Sequence, residues 1–418
     1  MSWLALVLVP TIWVVDAANG PGTHGRDLQP VIEMARKGDT ILVRAGSYSA
    51  CTIVGKSLTI RGAGSAITTV AGAEVLGVPA GGCVLLSGLR LAAPPASERP
   101  GLWLVGPGAV LLNDCQVLGA DGEQGSAAVH LSAGMLLHAS RCSFLGGIGS
   151  YTGPWTVQAG AGADVQAAAV LVASGCAFLG GATDDNVTGW TQGGAGVSVL
   201  GATALLFDST CYGGAAGHAL PLAKGMGGHA VVLNTGTVRV VGGQWPVLQG
   251  GMPAGFGTAA HTAVGYAVQR VAGNVAVHDG VTLLPATAGA ATTNGFTFVP
   301  AGAAPRLAVN ASYLPNGETD ALQPLTVTYD GLVPNAMFFL IVGFRPALSS
   351  LVVPDLLIDL TTGGAMVGVL DGAGQCTVTF VPAWLLGLEG VPFLAQAGTW
   401  DPVHGVRTSN CDVRVYAH

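Results

Sequence analysis

The chain of 418 residues is half hydrophobic, carries 65 glycines and is charged at only 9% of positions, for a net charge of −7. Its three lysines (Lys37, Lys56, Lys224) make no basic stripe, and no run reaches the ~18 apolar residues of a membrane span. A nucleic-acid binder and an integral membrane protein are therefore not expected, and without a C-x-x-C pair among eight cysteines neither is a structural zinc site.

Residues 1–10, MSWLALVLVP, are apolar without a basic start and read as the remnant of a leader. TIWVV (11–15) then reads as a strand. Asp27 is placed to cap a short amphipathic helix in which Leu28, Val31, Ile32 and Ala35 share a face. Gly38 ends that helix, and the strand TILV (40–43) follows. A helix there would cover the open end of a solenoid. The strand, the Gly20-Pro21-Gly22 loop, the helix, GDTILVRAGSY (38–48) and KSLTIRG (56–62) together resemble the opening of secreted right-handed parallel β-helix proteins of the pectin-lyase-like superfamily. The resemblance implies a parallel β-helix over 11–285 and a secreted or cell-surface location. It leaves activity open, because enzymes, adhesins and surface proteins share that opening.

The middle of the chain repeats itself. AVLLNDCQVLG (109–119) returns as LLHASRCSFLGG (136–147), VLVASGCAFLGG (170–181) and LLFDSTCYGG (205–214). Aligned on cysteine, the copies put Cys115, Cys142, Cys176 and Cys211 at intervals of 27, 34 and 35 residues. Apolar residues alternate within each copy, which is strand periodicity, and another short strand precedes each: LWLV (102–105), AVHL (128–131), ADV (163–165) and GVSV (196–199). A fifth pair, AVVL (230–233) and TVRVVGG (237–243), lacks the cysteine. A period built this way is a coil of a solenoid, and the fold class is all-β: a parallel β-helix capped by a short N-terminal helix, right-handed as the resemblance implies.

Three expectations follow for the copies. The four cysteines stack inward as free thiols, because parallel side chains stacked about 4.8 Å apart seldom offer disulfide geometry. Asn113, Ser140, Ser174 and Ser209, two residues earlier, form a polar ladder. The Gly-Gly pairs (146–147, 180–181, 213–214) turn a corner at positive φ. VAVHDGVTLLP (275–285) reads as the last coil and 286–304 as a linker.

From residue 305 to 418 the texture changes to PLTVTYDG, AMFFLIVGF, CTVTFVP and CDVRVYAH with Pro and Gly turns, read as a small antiparallel β-sandwich. Its last stretch resembles a C-terminal module of secreted bacterial β-helix proteins. Cys376 and Cys411 are candidates for a bridge within it.

The long loops after each glycine corner (120–127, 148–162, 182–195, 215–229, 244–264) share one phase and should stack along one edge. Loops on a rigid scaffold commonly carry binding function. Their aromatics, Tyr151, Trp155, Trp190 and Trp245, suit the apolar faces of sugar rings. Asp184, Asp185, His218, Lys224 and His229 are the candidate catalytic groups. Polysaccharide lyase chemistry needs a base near the substrate C5 proton, with Ca²⁺ as the cofactor a carboxylate cluster would hold. Glycoside hydrolysis needs two separated carboxylates, whereas Asp184 and Asp185 are adjacent. The polygalacturonase motif series of the superfamily is echoed only by Asp184–Asp185 and Gly217–His218–Ala219. The reading is a secreted or cell-surface glycan-binding or structural protein, with a lyase or glycosidase on an acidic polysaccharide as the alternative.

Overall fold

The computed structural model describes residues 11–150, 156–184, 190–217, 225–242, 246–253, 263–288 and 290–296 of the solenoid region. Beyond these it describes 306–310, 319–320, 325–343, 346–349, 356–358, 364–380, 392–401 and 405–417.

The repeats form a parallel β-helix. One coil runs Leu102–Val105, Ala109–Asn113, Gln116–Leu118, and then through a return loop to Val129–Ser132. Each strand pairs in parallel with its equivalents one coil before and after, which gives three long sheets along the axis. The first contains Leu102–Val105, the second Ala109–Asn113 and the third Gln116–Leu118. In the late coils Val197–Phe207 and Val231–Val241 run unbroken from the first sheet into the second.

Alternation decides what lies inside. Leu102 and Leu104, Val110 and Leu112, Cys115 and Val117 are all buried in one continuous core. Phe144 and Phe178 stack with centroids 4.7 Å apart and planes 3° from parallel. The N-terminal end is closed as expected by the helix Leu28–Met34, which buries Leu28, Val31 and Ile32. Asp27 accepts the Leu28 N–H, while Lys56 Nζ donates to the carbonyls of Ile32, Glu33 and Ala35 at the other end. Burial disfavours the charged form of Asp39. Even so, hydrogen bonds from the Trp13 indole and from the Arg36 and Thr11 amides hold its carboxyl below the usual range.

The cysteine register differs from the expected one. Cys115, Cys142 and Cys176 stack, with the Cys115 and Cys142 amides each 3.4 Å from the next sulfur. In the fourth copy Ser209 takes that place, accepting the Cys176 N–H at 3.1 Å. Cys211 instead pairs with Phe178, where the earlier coils have Val117 and Phe144. Alignment on Gly213–Gly214 rather than on cysteine gives this register, because the fourth copy is two residues shorter before its glycines. All four thiols are free, as expected, and burial pushes those of Cys115, Cys176 and Cys211 up.

Three members of the expected polar ladder, Asn113, Ser140 and Ser174, do stack in register, but Ser209 does not join them. Ser174 pairs instead with Phe207, and Asn113 binds its own neighbour, Nδ2 to Asp114 Oδ2 at 2.7 Å. The left-handed corner lies one residue later, at Gly88, Asp114, Arg141, Gly175 and Asp208, with φ between 48° and 62°. There Arg141 clasps Asp114 in two bonds, Nε–Oδ1 at 2.9 Å and Nη2–Oδ2 at 3.0 Å. This is the pairing between coils that their equivalent positions suggest. About a quarter of each side chain is exposed, and the pair contributes about 0–1 kcal/mol.

The Gly-Gly pairs are not at positive φ. They are glycine because backbones meet there. Where each return loop leaves and re-enters the solenoid, Gly147 donates to Ser126, Gly160 to Gly147, Gly181 to Gly160 and Gly194 to Gly181. The chain continues through Gly214, Gly228, Gly251 and Gly265, with N···O distances between 2.7 and 3.1 Å. A Cβ on Gly160 would stand 1.7 Å from the Ser126 oxygen, and one on Gly214 1.8 Å from that of Gly181.

At the far end, Asn294 imitates a further strand. Its Oδ1 accepts the Arg270 N–H and its Nδ2 donates to the Arg270 carbonyl, while Phe296 packs against the core. This part of the segment read as a linker thus closes the last coil.

The C-terminal module has two main sheets. In one, Arg306–Asn310, Leu325–Asp330 and Gln375–Phe380 pair antiparallel; in the other, Met337–Gly343, Gly364–Val369, Pro392–Asp401 and Gly405–Ala417 do so. Leu325, Val327, Phe338, Leu340 and Phe393 are buried together in its core. The opposite face of the second sheet carries Ile341 and Leu394 into a separate cluster with Leu111, Val172, Leu205 and Phe207 on the outside of the solenoid. That explains why the second solenoid sheet is apolar on both faces. The expected bridge is absent: Cys376 is a free thiol opposite Tyr329, while Cys411 lies opposite Gln396 in the other sheet.

Gly160→Ala is expected to lower stability by about 3 kcal/mol or more, because neither backbone at the contact can yield. Gly372→Ala, where an added Cβ meets nothing within 4 Å, is the control. Denaturation midpoints of both variants check this.

Candidate functional site

The return loops stack, as their common phase suggests. Gly122, Gly149 and Thr183 form successive bridges, and Val157–Gln158, Thr191–Gln192 and Gly225–Met226 pair as a small parallel sheet. Gln124 extends it: its Oε1 accepts the Gln158 N–H and its Nε2 donates to Thr156 O, both at 2.8 Å. The loops thus raise a wall of stacked amides beside the first sheet.

The outward residues of that sheet make a file across the coils. Glu74, Trp103, His130, Asp164, Ser198 and Val232 occupy equivalent positions. Between file and wall runs a trough of about 730 Å³, with Gln124, Gln158 and Gln192 on one side and Asp164, Ser198 and Gln269 on the other. It shares Ala127 and Asp164 with a second hollow of about 480 Å³ that continues past His130 and Trp103 to Arg99. A concavity of about 750 Å³ follows the left-handed corner elsewhere, but its Asp114 and Arg141 are spent on each other.

Where trough and hollow meet, Asp164 Oδ2 lies 2.9 Å from His130 Nδ1 and accepts a second bond from Gln166 Nε2 at 2.7 Å. A carboxylate oxygen only accepts, so His130 Nδ1 is the donor in this contact and Nε2 is the ring nitrogen that Asp164 does not engage. Trp103 meets the His130 ring edge-on, with centroids 6.3 Å apart, and the Arg99 guanidinium lies 5.9 Å from the Trp103 ring centre. Arg99 also pairs with Glu74.

His229, a candidate from the sequence, is buried and lines the trough from below. Its Nδ1 accepts the Tyr266 N–H at 2.8 Å, and the two rings stack 5.3 Å apart. Burial pulls its pKa down to about 4, which keeps the ring neutral. Asp184 is exposed, with its amide bound to Gly149 O, and does not line the trough. Trp190 stands 57% exposed on the loop wall, over a small apolar hollow bordered by Thr156 and Met226. Tyr151, Trp155, Asp185, His218, Lys224 and Trp245 lie outside the described residues. Among the described residues no cluster of three or more His, Cys, Asp or Glu is arranged to hold a metal ion.

The glutamine wall and the Trp103–His130–Asp164 file were not singled out from sequence. Their signal is there: each polar residue sits between the two inward residues of LWLV, AVHL and ADV, the outward position of a strand.

No family model matches this chain, and no curated protein sequence does. Among solved structures it is similar to the enzymatically active domain of tailspike protein 4 from bacteriophage CBA120, at 12% identity and a TM-score of 0.15. The match covers 90% of this chain, which spans 64% of that one.

The pKa of His229 gives a pH prediction. Between about pH 6.5 and 4 the unfolded chain binds a proton at this residue that the folded chain refuses, so stability falls as pH drops through that window. The full effect is about 3 kcal/mol. His229→Asn keeps an acceptor for Tyr266 and should flatten this part of the profile, read as the pH dependence of the urea midpoint.

Proposed function

We propose that the protein is a secreted or cell-surface β-helix protein that binds an extended glycan along its axis, in the trough between the glutamine wall and the first sheet. The observation that carries this is the lining. Stacked Gln124, Gln158 and Gln192 face Ser198, Asn234 and Gln269, repeated from coil to coil, and among the described residues Asp164 is the one carboxylate of the lining, with no lysine or arginine. Amides donate and accept at once, as sugar hydroxyls do, so a lining of described residues dominated by neutral amides and hydroxyls suits a neutral chain. Trp190 offers an exposed ring on the same wall. Membership of the pectin-lyase-like superfamily belongs to this proposal too, supported by the opening motifs and the stacked coils.

The His130–Asp164 dyad favours a second reading, as a lyase. A uronate reaching the hollow would place its carboxylate by Arg99 and its C5–H by His130 Nε2. The base takes that proton, the C5 electron pair forms the C4–C5 double bond, and the C4–O bond breaks with its electron pair on the departing oxygen, which takes a proton from water, leaving an unsaturated end.

Calorimetric titration with neutral and acidic oligosaccharides, with and without Ca²⁺, tests the first reading. Gln158→Ala and Gln192→Ala are each expected to weaken binding of a neutral glycan about fivefold, the loss of ~1 kcal/mol per hydrogen bond. Unchanged affinity in both variants sinks it. For the second reading, unsaturated ends should accumulate with the wild-type chain on a polyuronate and vanish with His130→Ala while binding persists.

A further inference from the structure

The second sheet of the C-terminal module ends, among the described residues, in an edge strand. Gly364–Val369, sequence GAMVGV, pairs with Met337–Gly343 on one side, and among the described residues no strand pairs with its other side. Five of its six residues are exposed and the sixth is intermediate. An open edge presents a row of free N–H and C=O groups, and chains that must stay single blunt it with charge, proline or a bulge. This one has none: no charged residue, no proline and an unbroken register with its neighbour.

The side chains make the same point independently. Val369, Met337 and Trp400 lie in one row across three adjacent strands, 64%, 49% and 47% exposed. Val367, also 64% exposed, stands opposite Phe339 on the same face. That face is the one whose other end, at Ile341 and Leu394, is buried against the solenoid. The apolar strip thus continues an interface already formed and runs off its end into solvent.

We propose that this edge is a self-association surface, on which two copies of the chain pair Gly364–Val369 antiparallel about a twofold axis. A twofold contact uses the same patch on both partners, so the free edge of one copy meets that of the other. Registers centred on a residue keep the same sheet face on the same side in both copies. Centred on Val367, the pairing sets Val367 against its own copy and Val369 against Ala365, which joins the two apolar strips. A short strand with this strip makes a small interface, so the dimer is expected to be reversible rather than obligate.

Sedimentation velocity on the full chain between about 1 and 200 µM tests this, a range suited to a weak interface. The wild type should move from the 41.6 kDa chain mass to twice that as concentration rises. Val367→Lys puts a charge at the centre of the contact and should weaken association about a hundredfold or more. Val367→Thr keeps the strand propensity and should retain it. Since residue 367 is exposed, all three proteins should give the same thermal midpoint at about 1 µM, the single-chain end of that range, which separates lost association from lost fold. A wild type that stays at the single-chain mass throughout, or a dimer unaffected by Val367→Lys, overturns the proposal.

Discussion

The constraint on which the rest of this structure depends is the contact of backbone with backbone at the glycine seam. A β-helix coil with three strands closes by a turn, but here the return loops leave and re-enter at nearly the same place. The two limbs of each loop pass so close that their peptides hydrogen-bond directly, from Gly147 to Gly160 within one coil and from Gly160 to Gly181 into the next. No residue with a Cβ fits there. The entropy that 65 glycines cost the folded chain is offset by this closure, together with the buried aliphatic core. Because the seam fixes the base of every loop, the loops rise as a stacked wall, and the trough exists because the wall does.

Much of the fold was legible because the code is periodic and local. Inward apolar positions, Asp27 before an amphipathic turn, and the change of texture after residue 305 each report a physical requirement that one residue type meets. The fourth repeat shows the limit. Its cysteine invited alignment with Cys115, Cys142 and Cys176, yet register follows the side-chain volume of the core and the place of the seam. Cys211, a small hydrophobe, fills the Phe178 file, while Ser209 offers its oxygen to the Cys176 amide. Likewise, a Gly-Gly pair suggests a left-handed turn, and nothing local reveals that two remote backbones will meet there.

The candidate site was harder to read for the same reason. Of the loop residues that stand out in the sequence, Trp190 lies on the wall and His229 lines the trough. The lining comes from residues that look unremarkable one by one: a glutamine in each of three loops, and the outward residue of each short strand. Only stacking at coil spacing turns them into a surface. The second sheet hides its role in the same way. Leu111, Val172 and Leu205 look like surplus hydrophobes on an outward face until the C-terminal module is laid over them.

The seam has an electrostatic consequence. In the parallel sheets N–H groups alternate in direction along each strand, so the peptide dipoles largely cancel. Along the seam they do not, for every donor is the later residue and every acceptor the earlier, from Gly265 back to Ser126. The peptides are aligned head to tail as in a helix, without being one, and their dipoles add, positive toward the N-terminal coils. The trough beside them therefore lies in a field with a direction. Its two ends differ electrically, and a chain molecule lying there with a reducing and a non-reducing end meets a surface that distinguishes one orientation from the other.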